Sequence, residues 1–272
     1  FEAENPNDLW QSDVMHGPRV DVDSKLRKTY LIAIIDDHSR LIPHAEFYLS
    51  EALALYLDAL EQAFSKRGLP RKLYVDNGPA FRSKHLEYIT ASLNVALIHA
   101  RPYKPQGKGK IERWFKTVRT NFLPRFKGNS LLELNETLAI WINDIYHQRK
   151  HGATGQSPFG RFTSKMECLR SAPENLRDYF RKVARRKVAK DRSITFKGNL
   201  YEVPVPLIGQ QVELLYHENE PEHIEIIWKN KSYGIVRPVD LHINCRVKRD
   251  ENNMSDVIIT TDGKGYKGGN LL

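Results

Sequence analysis

Apolar residues recur along this chain with two periods, and the switches between them mark out its elements. Leu9–Met15 alternates, with Trp10, Ser12 and Val14 on one side and Gln11, Asp13 and Met15 on the other, which predicts a strand. Thr29–Ile35 is a continuous apolar run, expected of a strand covered on both faces. Ile42–Leu49 predicts a third strand. The links are short and polar: Asp21, Asp23 and Ser24 in a hairpin turn, then Asp36-Asp37-His38-Ser39 in another. An antiparallel meander follows. The period then changes. Glu51–Lys66 places Leu53, Leu57, Leu60 and Phe64 at helical spacing, with Ser50 set to cap the helix and Gly68 and Pro70 to stop it.

Further on, Lys72–Val75 predicts a short strand running into the tight turn Asp76-Asn77-Gly78-Pro79. His85–Leu93 predicts a helix and Val95–Ala100 another strand. Pro102, Pro105, Gly107 and Gly109 make the next segment a loop. A helix then carries Ile111, Phe115, Val118 and Phe122 as its apolar stripe. Ser130 and Glu133 form a capping-box signature for a long helix, Leu131–His147, with Leu134, Leu138, Trp141 and Ile145 inward. The order β-β-β-α-β-α-β-α is that of an RNase H-like α/β domain, a mixed five-stranded sheet with flanking helices.

Beyond it the texture changes. Residues 163–191 read as a basic linker with a helix in it (DYFRKVARRKVAKD). Residues 192–243 read as short alternating strands, the spacing of a small all-β barrel. The expected organisation is a lead-in at 1–8, a core domain at 9–162, the linker, the barrel, and a polar tail at 244–272. An opening at Phe1 rather than Met is expected of a piece of a longer chain.

With 272 residues, 40% hydrophobic and 28% charged, the chain has the composition of a globular protein. Its 42 Lys+Arg against 33 Asp+Glu leave a net charge of +9, which favours a polyanionic partner. That excess is concentrated. His99–Lys127 holds nine Lys/Arg against Glu112 alone, and Arg177–Arg192 holds eight against Asp178 and Asp191. Cys168 and Cys245 stand far apart without metal-ligand spacing, as inert thiols of a reducing compartment would. No apolar run approaches the roughly 20 residues of a membrane span, and a cytoplasmic, nucleoid-associated protein is expected.

In the predicted topology Asp13 lies on the first strand, Asp76 ends the neighbouring fourth, and Glu112 comes from a helix across the strand ends. Three such acids are the hard oxygen donors that two-metal phosphoryl chemistry needs, with Mg²⁺ or Mn²⁺ as the suited ions. Blander readings exist. Lys108, Glu112 and Lys116 make i, i+4 pairs worth roughly 0.2–0.5 kcal/mol each to a helix. Asp36 and Asp37 read as turn caps, Asp21 and Asp23 as hairpin acids, and Asn77 as a turn residue beside Asp76. His147 and His151 have a zinc-pair spacing without a third ligand and read as an exposed helix end. Trp114 reads as core filler.

Asp76-Asn77-Gly78-Pro79 with Phe81, followed by Arg101-Pro102-Tyr103-x-Pro105-Gln106-x-x-Gly109-Lys110-Ile111-Glu112-Arg113, resembles the signature of retroviral-integrase-type DDE transposases of bacterial insertion sequences. Trp10-x-x-Asp13, Ile35-Asp36-x-x-Ser39-Arg40 and Tyr146–Pro158 are similar to further segments of that family, so the likeness covers about Leu9–Phe162. Arg192–Asp240 is similar to the β-barrel that follows the core in phage Mu transposase-like proteins.

The resemblance implies Asp13, Asp76 and Glu112 as a metal-binding catalytic triad holding two Mg²⁺ or Mn²⁺ ions. It also implies Lys110, Arg113 and Lys116 at the DNA near the scissile phosphate. Lys104, Lys108, Arg119, Arg185, Arg186 and Lys187 are the further expected DNA contacts, from the basic loop and linker. The expected activity is 3′-end cleavage and strand transfer on element ends and target DNA, by a homodimer or larger synaptic assembly, with an accessory ATPase as a further expected partner. The alternatives are an RNase H-fold nuclease that only hydrolyses DNA and an inactive DNA-binding module.

Overall fold

The computed structural model of the chain describes residues 1–100, 108–218 and 220–239, and beyond them the short strands Val247–Arg249 and Val257–Ile259. Lys104 and Cys245 lie outside the described residues. The chain divides into two compact units, Phe1–Phe180 and Arg181–Leu272.

The first unit is built on a five-stranded sheet: β1 (Trp10–Val22), β2 (Lys25–Asp36), β3 (His44–Tyr48), β4 (Lys72–Val75) and β5 (Ala96–His99), in the order β3-β2-β1-β4-β5. The first three run antiparallel, and β4 and β5 add in parallel beside β1. This is the RNase H-like arrangement expected from the element order. The apolar run of β2 is covered on both faces as its pattern requires, with Leu31 through Ile35 all buried.

One face of the sheet, with Trp10, Ile32 and Ile34, packs on α1 (Leu53–Arg67) through Tyr56, Leu60 and Phe64 and on α2 (Lys84–Ser92) through Leu86 and Ile89. The opposite face, with Met15, Leu31, Ala33 and Ile35, packs on α3 (Gly109–Thr117) and α4 (Leu131–Ile140). The stripe Ile111, Phe115, Val118 and Phe122 is wholly buried there. Burial of each such side chain is worth roughly 1.5–3 kcal/mol. That outweighs the few tenths of a kcal/mol by which each pair of like charges on the exposed side opposes the helix.

Several expectations at element ends are corrected. Ser50 does not cap α1, whose N-cap is Ala52 with no side-chain hydrogen bond. Asp21 is in β1 opposite Leu26, and the hairpin turns on Asp23 and Ser24 alone, both at positive φ, the geometry of a tight two-residue link. The Ser130–Glu133 capping box forms, yet the helix passes into a π-helical turn at Trp141–Tyr146. The wider turn shifts the inward face, so Ile142 and Tyr146 are buried and Ile145 is 45% exposed.

In the second unit the expected basic helix is instead the strand β6 (Lys182–Lys187), paired antiparallel with β9 (Gln211–His217). Pairing to a distant strand overrides local helix propensity here, and Arg185 lies directly across from Glu213. β6 joins β9, β10 (Glu220–Trp228) and β11 (Lys231–Ile235) in a four-stranded sheet. β7 (Ser193–Phe196), β8 (Asn199–Glu202) and β12 (Arg237–Pro238) form a three-stranded one. A single core around Tyr201, Leu207, Leu214 and Ile226 serves this unit. Among the described residues no ladder joins the two sheets, so the expected barrel is not closed.

Candidate active site

β1 and β4 run parallel with Trp10 opposite Leu73 and Gln11 opposite Tyr74. Carried on along both chains, that register sets Asp13 level with Asp76, just past the end of β4. By the two-residue period of β1, Asp13 shares the face of Gln11 and Met15, which is the face that α3 covers. Asp76 is held by its own turn: Oδ1 accepts the Gly78 N–H at 2.7 Å, and Asn77 donates its side-chain amide to the Ala100 carbonyl. A Cβ at Gly78 would stand 2.9 Å from Asp76 Oδ1, so a glycine there lets the turn close on the carboxylate.

Between the two acids lies a cation. The Lys108 ammonium is 3.1 Å from Asp13 Oδ1 and 3.7 Å from Asp76 Oδ2. Lys108 immediately precedes α3, and the Glu112 N–H donates to the Lys108 carbonyl, so Glu112 stands one helical turn beyond that ammonium. Its side chain is exposed. Among the described residues no three carboxylate, histidine or cysteine groups stand close enough together to hold a metal ion. Asp13 and Asp76 are thus brought together, and Glu112 is near in the chain but outside their contact.

Two contacts pin the start of α3 to the strand ends. Gln11 accepts from the Ile111 N–H at 3.4 Å and donates to Asp37 Oδ1 at 2.8 Å. Lys110 pairs with Asp37. Lys110, expected at the DNA, is therefore also an anchor of the helix. Arg113, Lys116 and Arg119 are exposed on α3 and the turn after it. In the second unit Arg185 pairs with Glu213, Arg186 stacks over Phe196 at 5.6 Å, and Lys187 is exposed.

Of the two acids read as turn caps, Asp36 caps its turn, whereas Asp37 accepts from Ala3, Gln11 and Lys110 outside it. Asp36 is fully buried and accepts from the Asn7 N–H at 2.9 Å, the Ser39 N–H at 2.7 Å and the Ser39 hydroxyl at 2.6 Å. Burial nevertheless raises its pKa to about 6. His147 corrects its reading as an exposed helix end: it is buried, and Nε2 accepts the Ile42 N–H at 3.0 Å. Burial lowers its pKa to about 4, which keeps the imidazole neutral and able to accept. Trp114 is core, as read.

A cavity of about 310 Å³ opens beside the acid pair, lined by Asp13, Asp76, Glu51, Tyr56 and Phe81 among others. Neither Glu51 nor Tyr56 was a sequence candidate. Glu51 reads as an ordinary helix start, and only the fold brings it to the edge of this cavity. Tyr56 belongs to the buried face of α1, where a tyrosine among leucines is the one available signal. Burial first, and the charges of Asp76 and Asp13 after it, push its phenol pKa up, so it remains protonated.

The sheet order is that of an RNase H-like core, and sequence comparison narrows the class to integrase cores. Two integrase core domain profiles match residues 3–105 and 93–158, together more than half of the chain, which belongs to the integrase core family. A third profile, of the C-terminal region of Mu transposase, matches residues 177–233. The chain is 26% identical to the transposase of transposon Tn552 from Staphylococcus aureus over 258 residues, covering 85% of this chain and 53% of that one. It is 30% identical to the transposase of insertion sequence IS21 from Pseudomonas aeruginosa over 171 residues, covering 52% and 43%. The chain thus spans about half the length of these relatives. A solved structure of the HTLV-2 integrase catalytic core domain in complex with magnesium aligns over 59% of this chain and 99% of its own, at 19% identity and a TM-score of 0.47. Among the described residues no helix is long and apolar enough to cross a membrane.

Proposed function

We propose that this chain is the catalytic portion of a DNA transposase, a polynucleotidyl transferase that cleaves 3′ ends and transfers them to target DNA. The observation that carries the reading is the ammonium of Lys108 held between Asp13 and Asp76, one turn before Glu112, in a chain of the integrase core family. Two carboxylates that draw in a cation are a hard anionic donor pair, and such a pair suits Mg²⁺ or Mn²⁺. Asp13, Asp76 and Glu112 are the residues that would hold the two ions. When bound, such ions lower the pKa of an attacking water or hydroxyl and stabilise the leaving oxygen.

The chain's own groups do the rest. β1 and the Asp76 turn fix two carboxylates, and Gln11 and Asp37 hold the start of α3 so that Glu112 approaches from the side of Lys108. Exposed cations on α3 (Arg113, Lys116, Arg119), with Lys104, Lys108 and Lys110 before them and Arg185, Arg186 and Lys187 in the second unit, contact DNA phosphates. In the first step water adds to a phosphodiester at the element end and the 3′ oxygen leaves as a hydroxyl. In the second, that hydroxyl attacks a target phosphodiester, forming one P–O bond as the target's own P–O3′ bond breaks. Two ends must be joined, so a homodimer or larger assembly is the acting form. An accessory ATPase and a place beside the nucleoid belong to the same reading.

A strand-transfer assay with pre-cut ends tests this. Joined products with wild-type protein and none with Glu112→Gln, at unchanged DNA binding, support the assignment. Nicks without joining would favour a hydrolytic nuclease, and joining at the wild-type rate by Glu112→Gln would overturn the triad.

A further inference from the structure

A second cavity, of about 580 Å³, lies on the other flank of α3. It is walled by Arg40, Lys110, Arg113, Arg149, Lys150 and His151, and no carboxylate lines it. Helical spacing separates the two flanks: Lys108 and Glu112 share one side of α3, while Lys110, Arg113 and Thr117 share another. Two of the cations are already neutralised, Arg40 by Glu2 and Lys110 by Asp37. Among the described residues, no carboxylate is paired with Arg113, Arg149 or Lys150, so the cavity keeps a surplus of about three positive charges.

Two further observations point to an anionic occupant. Trp114 also lines the cavity; its side chain is 98% buried, and its indole N–H has no hydrogen-bond acceptor. A buried donor left unmade costs roughly 1–3 kcal/mol, and an oxygen-rich ligand would satisfy it. His151 lines the same cavity. Its Nδ1 accepts the Ala153 N–H at 3.3 Å, which leaves the neutral ring's proton on Nε2. Burial, and then the charges of Arg40, Arg149, Arg113 and Arg161, hold its pKa below the ordinary value.

From this we infer that the cavity between α3 and the Arg149–Ala153 segment is a phosphate-binding site, which seats one backbone phosphodiester of bound DNA on the flank of α3 away from Asp13 and Asp76. Guanidinium groups and an indole N–H are all donors, the complement of a group that only accepts. The site reads no sequence and fixes where the strand lies relative to the acid pair. The inference rests on the transposase reading only in its choice of DNA as the source of the phosphate.

The test compares two double variants of the full chain by fluorescence anisotropy on a labelled duplex across a salt series, without added metal. Arg149→Gln/Lys150→Gln removes two exposed charges from the cavity, and Lys25→Gln/Lys28→Gln removes two exposed charges from the β1–β2 hairpin. The expected result is a log K against log salt slope reduced by roughly 1 in the first and unchanged in the second. In wild type, the Trp114 indole N–H resonance shifts on titration with the duplex, and in Arg149→Gln/Lys150→Gln it stays. Equal slopes in the two variants, or an unmoved indole resonance, would overturn the site. A shift with inorganic phosphate but none with the duplex would overturn DNA as the occupant. Because no chemistry is read, failure here leaves the Asp13–Asp76–Glu112 assignment standing, and loss of that assignment leaves this one.

Discussion

Two pairs of aspartates stand on the strands and turns of the same sheet, and they live in opposite conditions. Asp36 and Asp37 end β2, are buried, and are saturated by their own chain: Asn7 and Ser39 donate to the first, Ala3, Gln11 and Lys110 to the second. Asp13 and Asp76 are partly exposed, and across their carboxylates they share one ammonium, 3.1 and 3.7 Å away. The first pair completes a turn and anchors α3. The second has acceptor capacity to spare at the mouth of a cavity. What separates the two pairs is how many donors the fold itself supplies.

The contrast breaks most visibly in catalysis. Asp13→Asn, Asp76→Asn and Glu112→Gln are each expected to lower strand joining on the order of 10³-fold or more, since several kcal/mol of charge stabilisation is lost. Thermal and urea unfolding of the same proteins should change by less than about 0.5 kcal/mol. Asp36→Ala should do the reverse to stability. Three buried donors lose their acceptor, and urea unfolding is expected to show a loss of about 3 kcal/mol. A stable Asp36→Ala protein would erase the distinction between the pairs.

His147 sharpens the same point through pH. Its folded pKa of about 4 lies below the ordinary 6.5, so the unfolded chain takes up the proton first and this group's contribution to stability falls as pH drops from 6.5 toward 4. Asp36 works the other way in much the same window, because its folded pKa of about 6 lies above the ordinary 3.8 and acid favours the folded form. His147→Gln removes only the first effect. Going from pH 7.5 to pH 5, that variant should gain about 2 kcal/mol relative to wild type in urea unfolding. Identical pH profiles would contradict a buried neutral imidazole.

The smallest effect concerns Lys108. Lys108→Met leaves Asp13 and Asp76 without their shared cation, so added Mg²⁺ should raise the unfolding temperature by about 2–4 °C more in the variant than in wild type. An equal shift in both would mean that the ammonium and the ion do not compete.

Much of this was legible in the chain. The alternation around Trp10, the apolar run of β2 and the stripe from Ile111 to Phe122 were strong periodic signals, and the sheet and its two helical layers follow from them. Asp13 and Asp76 were legible because each sits at a definable place on a strand. The π-helical turn at Trp141–Tyr146 was not, since one extra residue per turn moves Ile145 outward without any change in composition. β6 was hidden for a different reason: its partner lies at Gln211–His217, and local sequence gives no sign of a ladder that distant. Glu51, Tyr56 and the burial of His147 depend on which elements meet, and no short motif carries that.

The most direct test is to soak crystals of the chain in Mn²⁺ and collect anomalous diffraction. The account predicts a manganese peak between the carboxylates of Asp13 and Asp76, with the Lys108 ammonium displaced and Glu112 turned toward the ion. Saturating Mn²⁺ with no peak at that pair, or a peak that leaves Lys108 in place between the two acids, would contradict it.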